Sequence, residues 1–450
     1  MKSVLFHVLL LLAALTVLCS TGLAEDGNDL FEYKLLDNDT VMITGYKGSE
    51  TNLVFPDAID GHPVTGVSRS FGYNTSSVKN LRIIEIPDTI TAIEPGAFFF
   101  AEYLTEFHIS ENHPTMAFSD GVLYNTEKQS IMLFLQSNTA EHFNVPDGIR
   151  EIEDKAFIRA RLVSVSLPAS MERIGCESFD QCSFLTDVSL AEGLQSIGAD
   201  AFDNCDRLKQ ITIPASVTDI EEAAFTDNRL REIRVAEGNP VFTVSEGALV
   251  NTRDGVLIAW PAKSEAESCV VPQGVTRIGR FAFYRSHYLK QITLPDGLLE
   301  IGRGAFVSCD HLTAVDLPDS VILLESSAFE GNSDVKRLHI SSGLKEIINN
   351  FDGIGISELE IPETVVSIEN SFKSLKNLQE VIIPGNVERL TGNAFAFCKK
   401  LTNITLPAGI TDIGCTFIGC DKNLIIRVEP DSVSEQYCRD HQLNYQYISE

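Results

Sequence analysis

The stretch Leu289-Lys-Gln-Ile-Thr-Leu-Pro295-Asp-Gly-Leu-Leu-Glu-Ile301-Gly-Arg-Gly-Ala-Phe306-Val-Ser-Cys309 decides the fold, because the chain keeps repeating it. Leu208-Lys-Gln-Ile-Thr-Ile-Pro214 and Leu312-Thr-Ala-Val-Asp-Leu-Pro318 open in the same way. Each continues to an aliphatic residue six places beyond the proline (Ile220, Ile301, Leu324) and to a phenylalanine five places further on. Pro87, Pro146, Pro168, Pro272 and Pro384 fit the frame, as does Ala191 in place of proline; Ser341 (also in place of proline), Pro362 and Pro407 fit it with one residue deleted before the phenylalanine. Twelve phenylalanines then fall in one column: Phe98, Phe157, Phe179, Phe202, Phe225, Phe283, Phe306, Phe329, Phe351, Phe372, Phe395 and Phe417. Their commonest spacing is 23 residues, as between Phe283, Phe306 and Phe329. A fixed period of this size marks a repeat architecture.

The frame carries its own physics. Apolar residues six, three and one before the proline alternate with mostly polar ones four and two before it, which reads as a short strand buried on one face. Proline ends the strand because it has no N–H for the ladder. Residues such as Val217 and Ile220 return to the interior, and a small residue before the phenylalanine, as in Ala224-Phe225, lets the chain turn. One coil cannot bury such a face alone, so coils must stack on one another. The expected fold is therefore an elongated repeat solenoid, mainly β with short helical or 3-10 turns.

The period lengthens twice, and the two gaps hold related segments. Asp120-Gly-Val-Leu-Tyr-Asn125 matches Glu246-Gly-Ala-Leu-Val-Asn251, and apolar runs Ile131–Leu135 and Val256–Trp260 follow. Each segment reads as a β-hairpin insertion, at about 108–140 and 234–266, packed in line as an extra coil or protruding as a contact element. Residues 25–80 are expected to form an N-terminal cap with a first irregular coil, 81–422 the solenoid, and 423–450 a C-terminal cap. That last cap contains a polar helix-like stretch through Tyr447, with Asp431 or Ser432 at its N-terminus.

The first 24 residues read as a signal peptide. Lys2 precedes an apolar run from Leu5 to Leu18, and Gly22-Leu23-Ala24 places cleavage between Ala24 and Glu25. No second apolar stretch is long enough to span a bilayer, so the mature protein is expected outside the cytoplasm without a transmembrane segment. Across 450 residues the net charge is −28, which disfavours nucleic acid as a partner.

With these features in place, the sequence resembles the BspA-type leucine-rich repeats of bacterial and protist surface and secreted proteins. The resemblance rests on Leu-x-x-Ile-x-Leu-Pro-x-x-Val-x-x-Ile-Gly-x-x-Ala-Phe-x-x-Cys, carried by Leu185–Cys205 (with Ala191 for the proline) and by Leu289–Cys309. It extends to Val41–Tyr46 with Asp60-Gly-His-Pro-Val64 at the start, and to Tyr437–Tyr445 at the end. It implies the repeat fold and a role in adhesion to host proteins, matrix or other cells, although the cell-wall anchor and extra adhesion modules of such proteins are missing.

Catalytic and metal chemistry find little footing. There is no Gly-x-Ser-x-Gly elbow, P-loop or dinucleotide fingerprint. Cys182, Cys205, Cys309, Cys398 and Cys420 all stand three residues after the phenylalanine, where Asn228, Asn332, Ser286, Ala101 and Ala160 stand in other coils. That column wants a small residue that packs or hydrogen-bonds a turn. Cys415, Cys420, Cys438 and His441 fit no common zinc spacing; a disulfide from Cys438 to the last coil is the alternative. No enzyme activity, cofactor or metal is expected, and Trp260 is read as a core residue. What remains is the outward face of the strands. Two places before the proline stand Ser166, Ser189, Thr212, Thr293, Asp316, His339 and Glu360; four places before it stand Asp187, Gln210, Gln291, Arg337 and Glu358. Stacking would set these in parallel rows about 5 Å apart, a surface for a protein or glycan ligand on a chain taken to be monomeric. A structural, shielding component of the cell envelope is the competing reading, and an enzyme the third.

Overall fold

The computed structural model describes residues 29–73, 75–227, 229–414 and 417–448. The signal-peptide assignment, with Ala24 and Glu25, lies outside these residues, as do Asn228 and Cys415. The described chain falls into two compact units, one ending at Leu123 and one beginning at Tyr124.

The first unit starts with an antiparallel pair, Phe31–Leu35 against Val41–Tyr46. Val41–Tyr46 then pairs in parallel with His62–Val67, and that strand with Ala92–Ile93. A second ladder joins Asn52–Val54, Ile83–Ile86 and Glu106–Ile109, all parallel. Between the ladders lie Phe31, Tyr46, Phe55, Phe71 and Phe98, all buried. Phe98 meets Phe71 edge-on at 5.8 Å.

In the second unit a coil has three sides, and the coil of Pro362 alone among the described full coils lacks the strand of the first. One is the strand before the proline, as in Ser164–Ser166, Asp187–Ser189 and Gln210–Ile213. After the proline comes a two-residue strand, as in Glu151–Ile152, Arg173–Ile174, Ser196–Ile197 and Asp219–Ile220. These pair in parallel and in register, so Ile152, Ile174, Ile197 and Ile220 form one buried row. Stacked coils of 22 or 23 residues bring each residue opposite its own counterpart.

The third side is the phenylalanine corner. Its residues two before and two after the ring are left-handed: Lys155 and Arg159 around Phe157, Glu177 and Gln181 around Phe179, Asp200 and Asn204 around Phe202. A non-glycine residue there costs about 1–2 kcal/mol. Hydrogen bonds to the next coil offset it: the N–H groups of Lys155, Phe157 and Arg159 donate to the carbonyls of Cys176, Ser178 and Asp180 at 2.9, 2.8 and 2.9 Å. Between these, i→i−3 bonds such as Ala160 N–H to the Phe157 carbonyl (2.9 Å) close tight turns. The rings stack inside. From Phe157 to Phe225 and from Phe283 to Phe395, neighbouring centroids lie 4.8–5.9 Å apart with planes within 14° of parallel. That spacing is the rise between paired strands.

The second insertion is a three-stranded meander. Phe242–Ser245 pairs antiparallel with Ala248–Asn251, and that strand with Val256–Ala259. Val256–Ala259 also pairs in parallel with Arg277–Ile278, so the insertion continues the short-strand ladder in line. Trp260 takes the place of a column phenylalanine, stacking on Phe283 at 5.7 Å. In the first insertion Phe134 does the same against Phe157 at 5.1 Å.

Two expectations need correction. The C-terminal helix covers only Val433–Asp440, with Ser432 as its N-cap, and does not run through Tyr447. Tyr445–Tyr447 is instead a strand, parallel to Ile425–Val428, which caps the long-strand ladder. The second concerns Glu358 and Glu360, which the repeat frame puts on a ladder strand. Their segment forms no strand, and the ladder is interrupted between Arg337–His339 and Glu380–Ile382. Phe351 and Ile356 are one residue closer in sequence than Phe329 and Val335. The shortened corner presses Gly355 onto the Ser333 carbonyl, where a Cβ would sit only 1.9 Å away, and the segment misses ladder spacing.

Candidate ligand-binding face

The long strands set the candidate residues in rows. Ser164 lies opposite Asp187 and Ser166 opposite Ser189, with Val165 and Val188 between them facing inward. The same register puts Gln210 beside Glu232, Thr212 beside Arg234, Gln291 beside Ser268 and Thr293 beside Val270. Further along, Ala314 faces Arg337 and Asp316 faces His339. All of the candidates are exposed except Ser166, which is half-buried, and Glu358 and Glu360 are exposed despite their lost ladder. A strand whose inner residues are committed to the core leaves its alternate residues free for solvent or a partner.

These rows are knitted laterally. Asp316 holds the Arg337 guanidinium through both carboxylate oxygens, and His142 Nδ1 sits 2.8 Å from Ser164 Oγ. Where the ladder breaks, a cavity of about 770 Å³ opens on the same face, lined by Glu358, Glu360, Glu363, Glu380, Gln379 and Ile382. It is acidic and open.

The cysteine column has a defined task. The thiols of Cys182, Cys205, Cys309, Cys398 and Cys420 point at the carbonyls of Phe157, Phe179, Phe283, Phe372 and Phe395 in the preceding coil, at 3.0–3.3 Å. Asn332 serves Phe306 in the same way at 2.9 Å. Each adds a side-chain donor to a buried carbonyl, which at Phe157, Phe179 and Phe283 also accepts the backbone N–H three residues on. Burial pushes the Cys309 and Cys398 thiols up to about 12, so neither is a ready nucleophile. Cys420 and Cys438 are free thiols, and His441 Nδ1 lies 3.0 Å from the Tyr437 carbonyl. Among the described residues no three His, Cys, Asp or Glu side chains are grouped to hold a metal. No helix among them is long and apolar enough to cross a membrane.

The model of the BspA type leucine rich repeat region matches residues 69–133, 125–231, 262–371 and 348–435. The chain belongs to this family. The repeats are thus BspA-type repeats, with residues 232–261, most of the second insertion, between two matched stretches. No curated protein matches the chain in sequence. Among solved structures, a leucine-rich repeat protein from Eubacterium ventriosum is similar, with TM-score 0.53 and 18% identity over 87% of this chain and 93% of that one. The pneumococcal vaccine antigen PcpA aligns over 95% of this chain and 98% of its own, at TM-score 0.49 and 19% identity. A leucine rich cell surface protein from Faecalibacterium prausnitzii aligns over 95% of each chain, at TM-score 0.42 and 20% identity.

Proposed function

We propose that this BspA-type repeat protein is a non-catalytic, secreted or cell-surface binding and adhesion protein that presents its long-strand face to a protein or glycan ligand. The observation that carries the reading is the in-register display of exposed polar side chains, such as Ser189, Gln210, Thr212, Asp316 and His339, over strands whose inner faces are fully used by the core. Repeat solenoids offer area in place of a pocket, and their extended faces are where partners settle. Family membership and the signal-like start, Lys2 to Ala24, support a site of action outside the cytoplasm.

The test uses protein lacking residues 1–24, screened against arrays of extracellular-matrix proteins and glycans. A ligand found there should be lost, with at least a tenfold weaker Kd, on Asp316→Lys combined with Glu360→Lys. Both side chains are exposed, so folding should be unaffected. Binding that survives the double change would remove the strand face from the reading.

A further inference from the structure

A chain of net charge −28 nevertheless gathers cations at one corner of its second unit. Arg207 and Lys209 flank Leu208, the first buried residue of its strand segment; Arg229 and Arg231 flank Leu230 in the next coil. Register stacks the first pair on the second. Lys263 arrives from the insertion, pinned over them by its backbone N–H to the Leu230 carbonyl (2.8 Å). Together with Tyr288 these five cations line a half-open cavity of about 530 Å³.

The charge there is only partly neutralised. Arg229 meets Asp206 at 3.5 Å and Arg231 meets Glu265 at 3.9 Å. Arg207, Lys209 and Lys263 have no ion-pair partner among the described residues. Burial pushes the Lys263 ammonium below the usual lysine range, and Arg229 and Arg285 push it the same way. Asp227 and Asp310 pull it the other way. Around the cavity itself five cations stand against Asp206 and Glu265, and carboxylates farther off matter little, since their influence fades over about 8 Å in physiological salt. Lys263 also lines an adjoining cavity of about 430 Å³, where Asp206, Asp227 and Asp310 balance Arg229, Arg285 and Lys263, so the excess of positive charge is confined to the first. On the opposite side Phe184 is sandwiched between the Arg161 and Arg207 guanidiniums at 5.4 and 5.1 Å, which fixes where the Arg207 head stands.

We propose that this cavity binds an acidic oligosaccharide, its sulfate or carboxylate groups held by Arg207, Lys209, Arg229, Arg231 and Lys263 and a sugar ring lying on Tyr288. Guanidinium forks match sulfate and carboxylate geometry in pairs. Two successive coils present such forks about 5 Å apart, so neighbouring acidic groups of one ligand can be held together. Tyr288 is half exposed and supplies the flat apolar surface that a sugar ring needs and a simple anion does not. A long polyanion is disfavoured, because beyond the cavity it would meet Asp187, Glu232 and Glu267, all exposed. This site stands apart from the strand face and does not rest on it.

The experiment is titration calorimetry on the protein lacking residues 1–24 with a heparin-derived tetrasaccharide, its desulfated counterpart, sodium sulfate, poly-glutamate and a short single-stranded DNA. The tetrasaccharide should bind, weaken at least tenfold between 50 and 200 mM salt, and bind at least tenfold more weakly to Arg231→Ser/Lys263→Ala protein. Tyr288→Ala should weaken binding several-fold while leaving the salt dependence unchanged. The desulfated sugar should bind at least tenfold more weakly, and Asp316→Lys/Glu360→Lys protein should bind the tetrasaccharide as wild type does, which separates this site from the strand face. Absence of binding, indifference to Arg231→Ser/Lys263→Ala, equal competition by sodium sulfate at matched sulfate concentration, or equal binding of poly-glutamate or DNA would each overturn the proposal.

Discussion

Asn332 is the residue whose removal tests most directly how the coils are held. It is fully buried. Its Nδ2 donates to the Phe306 carbonyl of the preceding coil at 2.9 Å and to the Phe329 carbonyl of its own coil at 3.0 Å. Its Oδ1 accepts from the Cys309 N–H at 2.9 Å. Asn332→Ala leaves two carbonyls and one N–H buried without these partners. Each such group costs about 1–3 kcal/mol, so three give at least about 3 kcal/mol. Asn332→Cys provides an internal control. The thiol of Cys309 one coil earlier donates to the Phe283 carbonyl at 3.1 Å, so a cysteine at 332 should restore the bond to Phe306 and recover about 1 kcal/mol. Repeat arrays open locally, so the readout is native-state hydrogen exchange of the Phe306 amide, which is bonded to the Ala328 carbonyl at 2.8 Å. A loss of 3 kcal/mol corresponds to roughly a hundredfold faster exchange, and the cysteine variant should fall between alanine and wild type. If Asn332→Ala changes exchange by less than about fivefold, or if cysteine does no better than alanine, the buried-acceptor account of this column is wrong.

Other consequences are simpler. Phe306 is fully buried between Phe283 at 4.8 Å and Phe329 at 4.9 Å, so Phe306→Ala should cost about 3–5 kcal/mol in denaturant unfolding, and a cost near 1 would mean the stack closes up around the hole. Ser432 Oγ accepts the Glu435 N–H at 3.1 Å, so Ser432→Ala should cost about 1 kcal/mol, read as faster exchange across the helix Val433–Asp440. Burial, together with the Asp180 and Asp200 carboxylates, raises the Asp203 carboxyl from its ordinary value near 3.8 to about 7. Its folded value lies above its unfolded one, so its stabilising contribution is complete below about pH 4 and is lost as the pH rises through about 7. Amide protection around Phe202 should therefore weaken from pH 5 to pH 8, and Asp203→Asn should flatten that slope; an unchanged slope would assign the effect elsewhere.

The legible part of this fold was whatever repeats. A residue recurring at fixed intervals in stacked coils must meet its own counterpart, so the phenylalanine column translates directly into rings 4.8–5.9 Å apart. The same logic placed Val217 and Ile220 inside, although it did not show that their neighbours pair into a second ladder. Two-residue strands have no alternation to detect. Phe134 and Trp260 are hard to see as members of the column because they lie in insertions, where no proline stands eleven residues before the ring to mark the frame. The left-handed corner residues were equally hidden. Lys155, Glu177 and Asp200 share a backbone conformation without sharing a side chain, and only scattered glycines, Gly96, Gly304, Gly331, Gly353 and Gly419, hint at it.

The sites divide along the same line. Polar residues two and four before the proline are visible because they alternate with buried ones, and the structure places them outward on strands. Glu358 and Glu360 are the exception, since a single deleted residue alters no residue type yet removes the ladder. The cationic corner was invisible for a different reason. Arg207 and Arg229 are 22 residues apart, Lys263 lies 34 beyond Arg229, and acidic residues are scattered through the chain between them, so no long basic run marks the place. Only the coil register and the Lys263–Leu230 backbone bond bring the three together. Net charge describes what the whole surface repels at long range. A cavity narrower than the screening length answers to its own lining, so an acidic protein can still keep one place for an anion.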